Sequence, residues 1–542
     1  MKINNKILYI LALTSFIFFV LSCYFTHIVF YQPNAFFLFE SLNFFYWIGI
    51  IAFIMLIILR IIHPIKSIIF DLSIIFIAIF YTGIVSFIYE VPRNVDTYRL
   101  YWELFEPAIK LGTFNTNLIN FSNQYHYSYI TSSVFLTYVV QLHSDPYLIL
   151  RLYTIYYYFF GSIIIYVIGR FISEKYAVMG SLAFILFYWL PAQFSPQTFT
   201  FLIIFSLFLA LFKFLQTDER KYAIIASFYV VVIALSHMLS NIIIIFILSL
   251  IYFCMVLFYV LNKYGWMPGE TNFFQFNNQK QSILQILIIS VLAYLSYASY
   301  AANTLFSITV NFIDNRIDDL VDYDGISLTH RSISDLFPPS ASYLMAYNIR
   351  MLTLIIYIII GIVCTLFIIY SFRFKEKFDV LHKKILLIFT LIFLFAVSFS
   401  AILLLSGDNT YGYDRPFPIS LVMFSLLIVF FISFEEYKLN SGARKTLIIL
   451  LFIGLLITTP ISRYASDPYH FFSESEDQAN LFGRSYFNDF QIGALGVKNS
   501  YSSIAFNSKE LKYQRGSEYA KQYNFITLSK IYDVGNSASH YF

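Results

Sequence analysis

The segment Tyr127-Ser-Tyr-Ile-Thr-Ser-Ser-Val-Phe-Leu-Thr-Tyr-Val-Val-Gln-Leu-His143 controls the topology of everything that follows it. It is apolar but only 17 residues long, and a helix needs about 20 apolar residues to cross a bilayer core. Counted as a crossing, it inverts every later loop and puts the Lys-rich segment 373–384 outside. Read as an interfacial or re-entrant helix, it leaves one large outer loop over 90–146 and the basic loops on one side.

The rest of the chain supports the second reading. Of its 542 residues, 59% are hydrophobic and only 12% charged, with a mean hydropathy of +0.70; such a composition excludes an ordinary soluble domain. Apolar runs at 7–30, 44–62, 67–89, 147–170, 176–192, 198–216, 222–237, 241–261, 283–302, 349–372, 385–406, 416–434 and 446–461 predict about thirteen transmembrane helices. They lack the alternation of a β-barrel. The expected fold is an all-α polytopic membrane protein with its N-terminus inside and its C-terminus outside. The first run, preceded by Lys2 and Lys6, has no small-residue cleavage site and reads as an uncleaved anchor.

With that orientation the inner loops collect Arg60, Lys66, Arg170, Lys175, Lys213, Arg220, Lys221, Lys263, Lys280, the runs 373–377 and 382–384, Lys438, Arg444 and Lys445. The outer loops, 90–146 and 303–348, are longer and poorer in Lys and Arg, as the positive-inside rule requires. Three regions follow: two N-terminal helices in 1–66, a membrane region in 67–461, and a polar segment, 462–542, expected to be a small extracytoplasmic α/β appendage. The net charge of +4 does not discriminate among partners. Cys23, Cys254 and Cys364 all fall in predicted spans, which argues against disulfides and cysteine metal sites. The span interiors read as almost uncharged.

Polar residues concentrate at the outer ends. Val91-Pro-Arg-Asn-Val-Asp-Thr-Tyr-Arg-Leu-Tyr-Trp-Glu-Leu-Phe-Glu106 follows one span end and carries Asp96, Arg99, Glu103 and Glu106. Gln193 and Ser195-Pro196-Gln197 precede another span, His237 ends a third, and Asp414-Arg415-Pro416 precedes a fourth. Each also has a bland reading. Asp96 can be a solvated acid beside Arg93 and Arg99, Arg415 a snorkelling interface arginine, and Asp414 its ion-pair partner. Ser195 and Gln197 can cap a helix, His237 can be a packing residue, and Glu103 and Glu106 suit the wet face of an interfacial helix. Asp322-Tyr-Asp324-Gly lacks the remaining ligand spacing of a calcium loop. No P-loop, dinucleotide fingerprint, nucleophile elbow or paired-His zinc motif is present, and nothing points to nucleic acid.

In layout and short motifs the chain resembles the GT-C superfamily of membrane glycosyltransferases. The resemblance covers 67–434: a helix running outward, a large outer loop opening on an acid (Asp96), short amphipathic helices, then a second polar motif about a hundred residues on. Ser195-Pro-Gln197, Ser236-His-Met-Leu-Ser240, Tyr413-Asp-Arg-Pro416 and the ending Lys530-Ile-Tyr-Asp-Val-Gly535 are similar to uncharacterised archaeal members. Where many members place a second carboxylate this chain has Ser195-Pro-Gln197, which departs from a two-acid metal site. The resemblance implies transfer of a sugar from a polyprenyl (dolichyl) phosphate donor to a glycan, lipid or protein acceptor on the extracytoplasmic face of the cell membrane. It implies Asp96 as base or as ligand to a divalent cation, Mg or Mn, and Arg415 on the leaving phosphate. Gln197, His237, Arg99, Ser195 and Asp414 would contact substrate, with Glu103 and Glu106 behind them. The competing expectations are a lipid-linked glycan flippase, a glycan polymerase or ligase, and an inactive family member.

Overall fold

The computed structural model describes residues 5–26, 42–88, 145–188, 194–263, 277–300, 341–371, 380–405, 416–433 and 441–464, together with Thr97, Thr131, Val134, Phe135, Tyr138 and the pairs 492–493 and 525–526. Helices occupy each of the predicted apolar runs. They are α1 (Asn5–Phe25), α2 (Phe44–Ile62), α3 (Ile68–Gly83), α4 (Pro146–Ile172), α5 (Ala177–Phe187), α6 (Pro196–Thr217) and α7 (Arg220–Ser236). They continue as α8 (Met238–Lys263), α9 (Asn277–Tyr300), α10 (Ala341–Ser371), α11 (Val380–Leu405), α12 (Phe417–Ser433) and α13 (Ser441–Tyr464). Eight of them are long and apolar enough to cross a membrane, so the chain is a helical membrane protein with several apolar helices. In the polar C-terminal segment, 462–464 end α13 and Ile492–Gly493 pairs in parallel with Phe525–Ile526; the remainder of that expected appendage lies outside the described residues.

Local chemistry sets the helix starts. Asn43 caps α2 by accepting the N–H groups of Phe45 and Tyr46, and Ser67 caps α3 through Phe70 N–H. Asp145 accepts from Tyr147 N–H ahead of Pro146, which as first helical residue has no N–H to lose.

Three contacts set the relative direction of the helices that flank 127–143. Lys66, just before α3, bonds Glu174, just after α4, at 2.9 Å. Tyr166 near the end of α4 donates to Asp71 at the start of α3 (3.1 Å), and Gly83 at the end of α3 faces Ile155 near the start of α4. The two helices are therefore antiparallel, and the intervening chain leaves and returns at the same end. A single traversal by 127–143 would make them parallel. Thr131, Val134, Phe135 and Tyr138 of that segment are helical; Phe135 lies 5.1 Å from Phe199 in the first turn of α6.

The core sits around α5 and α12. Every residue of α5 is buried, as is α12 from Phe417 to Ile432; helices apolar on all faces belong in the centre. Gly180 lets them approach: a Cβ there would meet Val429 at 2.7 Å and the Ser425 carbonyl at 3.0 Å. Phe187 then packs edge-on to Phe424 at 5.0 Å. Tyr46, Tyr81, Tyr157, Tyr158, Tyr188 and Tyr357 are fully buried in one contiguous core.

Two expectations need correction. The first is Arg60, expected among the loop cations: instead, within one turn of the ends of their helices, Arg60 in α2 and Asp71 in α3 form a fully buried ion pair at 2.8 Å. Arg60 also donates to Ile65 O, and Asp71 accepts from Tyr166. Arg60 is thus a packed residue instead of a solvated loop cation. The set is hydrogen-bonded on both sides, as burial of charge demands. The second correction is α5, expected over 176–192. It ends at Phe187 and so is about 16 Å long at 1.5 Å per residue, against a hydrocarbon core of about 30 Å.

Candidate functional site

A helix that ends inside a bundle leaves carbonyls without partners, and in lipid such groups must be satisfied by protein. At the end of α5 the partners come from α13 and α4. Arg463 donates to the Ile185 carbonyl and Tyr158 to the Tyr188 carbonyl (3.3 Å), while the Thr459 hydroxyl, bonded to Leu455 O at 2.6 Å, lies 3.4 Å from the Leu186 carbonyl. The Arg463 guanidinium also lies over the Tyr158 ring, 4.8 Å from its centroid, a favourable placement for a cation.

The last turns of α13 carry a proline inside the helix. Pro460 has no N–H and so frees the carbonyl of Leu456 four residues earlier; Tyr81 of α3 donates its hydroxyl to that carbonyl. Two residues past the proline, the Ser462 carbonyl accepts from Arg350 Nε of α10 at 2.6 Å. Cations suit helix C-termini for electrostatic reasons as well. Arg463 is 7% exposed, and Arg350 is half-buried. Arg151, half-buried near the start of α4, shares a helical stripe with Tyr158 seven residues on. This end of the bundle therefore holds arginines from α4, α10 and α13 around a short helix terminus. The four ion pairs among the described residues, Arg60–Asp71, Lys66–Glu174, Arg170–Glu174 and Lys221–Glu219, lie at the opposite end.

Several of the candidates read from sequence fall at this arginine-bearing end. Ser195 and Thr198 form a reciprocal capping box at α6, each side chain accepting the other's N–H at 3.1 Å, with Pro196 at the first helical position. The bland reading of Ser195 is thus realised. Gln197 is half-buried in that first turn, and its side chain makes no hydrogen bond among the described residues. His237 is the single non-helical residue between α7 and α8. Its Nδ1 accepts the Ser240 N–H at 3.2 Å, with Ser240 Oγ 2.7 Å away, so it caps α8. An accepting Nδ1 assigns the neutral ring proton to Nε2 and leaves only that nitrogen for any ligand. About one turn on, Asn241 of α8 and Ser290 of α9 are joined by a buried hydrogen bond of 3.2 Å.

Asp96, Arg99, Glu103, Glu106, Asp414 and Arg415 lie outside the described residues. Their neighbours are informative: Thr97 is helical and 2% exposed, and Pro416 and Phe417, which follow Arg415, are buried. Phe417 packs on Tyr357 of α10 at 5.5 Å, and Tyr357 also donates to Ser420 at 2.7 Å. Tyr357 is two turns along α10 from Arg350. Among the described residues no group of three His, Cys, Asp or Glu could hold a metal ion, and Asp96 lies outside that set.

The sequence reading missed Arg350 and Arg463. An arginine at the end of an apolar run ordinarily reads as an interface anchor. The cue was Thr458-Thr459-Pro460-Ile461-Ser462-Arg463, a polar and proline-broken close to an apolar helix. Compared with family models and with curated proteins, the chain matches none significantly.

Proposed function

We propose that this chain is a multi-pass glycosyltransferase that takes a sugar from a polyprenyl-phosphate carrier and gives it to an acceptor at the arginine-bearing end of the bundle. In this reading the chain crosses the membrane thirteen times, α5 supplying only part of the fifth crossing, with the N-terminus inside and that end facing outward. The observation that carries it is the buried Arg463 at the terminus of α5, with the half-buried Arg350 on the neighbouring Ser462 carbonyl of α13. Fixed positive charge at one membrane face, in a low-dielectric setting, is what a departing lipid phosphate needs. The GT-C-like layout opening on Asp96 supports the same reading.

The chemistry assigned to the site is an inverting displacement. The acceptor oxygen or nitrogen attacks the anomeric carbon as the bond from that carbon to the phosphate oxygen breaks. Asp96 takes the acceptor proton, and the phosphate leaves carrying the bonding pair toward Arg415 and the arginine cluster. Gln197 and His237 line the donor pocket. A divalent cation at Asp96 would polarise the acceptor or the phosphate when bound.

A flippase is the second reading, and the buried Arg60–Asp71–Tyr166 set favours it, since transport sites bury charge within spans. That set, however, sits within one turn of the ends of α2 and α3, far from mid-helix. The test is incubation of purified protein in lipid with labelled polyprenyl-phosphate sugars. Label moving to an acceptor with release of polyprenyl phosphate supports transfer, and label moving only between leaflets supports the flippase.

A further inference from the structure

The opposite end of the bundle carries a second feature, independent of the sugar chemistry. A cavity of about 660 Å³ opens between α7 and α9 beside the turn that links α6 to α7. Asp218, Arg220, Gln281 and Gln285 line its polar part, nearer the starts of α7 and α9, while Ile224, Ile288 and Ile289 line an apolar part further along those helices. On α7 the residues Arg220, Ile224 and Ser227 repeat at helical spacing along one face, a stripe about 10 Å long. Ile224 and Ile288 are 69% and 48% exposed, an open apolar wall of the kind that would suit the hydrocarbon of a surrounding bilayer.

The charges of the polar part are specific. Lys221 and Glu219, which flank Arg220, neutralise each other at 2.5 Å. Arg220 and Asp218 make no ion pair or side-chain hydrogen bond among the described residues. Asp218 is held in the turn by a left-handed backbone, φ 57°, a conformation that Asp and Asn tolerate better than most residues. The groove thus presents one cation and one anion beside an isoleucine wall.

We propose that this groove binds a phospholipid whose headgroup carries both a phosphate and a primary ammonium. The phosphate meets Arg220, the ammonium donates to Asp218, and one acyl chain lies along Ile224, Ile288 and Ile289. The glutamines of the polar part supply neutral hydrogen bonds to the glycerol region. A purely anionic headgroup would leave Asp218 facing like charge, and a trimethylated ammonium has no N–H to donate to it.

The test is native mass spectrometry of the full-length protein released from mixed micelles containing phosphatidylethanolamine, phosphatidylglycerol or phosphatidylcholine. Phosphatidylethanolamine should be retained over the other two. Arg220→Gln and Asp218→Asn should each reduce that retention about tenfold, the worth of one charge-assisted contact. Ile224→Trp, at an exposed position, should displace the lipid without touching either charge. Phosphoethanolamine lacking acyl chains should not compete. Retention of phosphatidylglycerol equal to or above phosphatidylethanolamine overturns the proposal, as does indifference to both charge substitutions. So does competition by the chain-free headgroup, or a dimer that covers this face and retains no lipid.

Discussion

Lys66 and Glu174 stand 108 residues apart in sequence and 2.9 Å apart in space. An ion pair between the start of α3 and the end of α4 requires the chain between them to cross the membrane an even number of times. Cysteines placed at Lys66 and Lys175 should therefore react with a membrane-impermeant reagent from the same side, and one at the exposed Asp145 from the other. Opposite-side labelling of Lys66→Cys and Lys175→Cys would make 127–143 a crossing.

The same pair fixes a pH effect and its sign. Lys66 foremost, then Arg170, hold the Glu174 carboxyl below the usual glutamate range. A depressed carboxylate contributes its stabilisation above its unfolded pKa and loses it as pH falls through the folded one. Because the pair is exposed, the effect on stability is small. The Glu174 titration midpoint, followed by NMR with a labelled side chain, should rise toward the ordinary value in Lys66→Met. An unchanged midpoint would contradict the pairing.

Tyr81 and Pro460 make a compensated break in α13. Tyr81→Phe leaves the Leu456 carbonyl buried without a donor, which costs about 1–3 kcal/mol. In Pro460→Ala the helix supplies its own N–H, so Tyr81→Phe in that background should cost far less. Unfolding free energies of the four proteins in one detergent give the coupling, and strict additivity would refute it.

The buried Arg60–Asp71 pair predicts asymmetric losses. Asp71→Leu alone strands a buried guanidinium and should cost about 3–5 kcal/mol. The double replacement Arg60→Met with Asp71→Leu should recover most of that loss. A double variant as unstable as the single one would show that the charges themselves are required.

For His237 the capping geometry predicts a chemical rescue. His237→Ala should lower stability by about 1 kcal/mol, whereas His237→Asn, a good N-cap, should stay near wild type. Equal losses in thermal unfolding would mean that the ring serves something other than α8.

The helical runs were legible because apolar length and the basic loops between them are local properties of the chain. Partnerships were not. Arg60 looked like a loop cation because nothing near it in sequence announces Asp71 and Tyr166 as its partners, the latter on a helix 95 residues past Asp71. The shortness of α5 was hidden because Tyr188 continues an apolar run that the backbone abandons. The cap at Ser195 was readable from Ser-Pro spacing alone, whereas the roles of Arg350 and Arg463 depend on carbonyls freed elsewhere in the fold.

The most direct measurement is sugar transfer from radiolabelled polyprenyl-phosphate donors by purified protein in lipid, with wild type beside Asp96→Asn. Transfer by wild type that falls roughly 100-fold or more in the variant, with donor binding retained, is the predicted result. Wild type that turns over no donor while carrying labelled lipid between leaflets would contradict it.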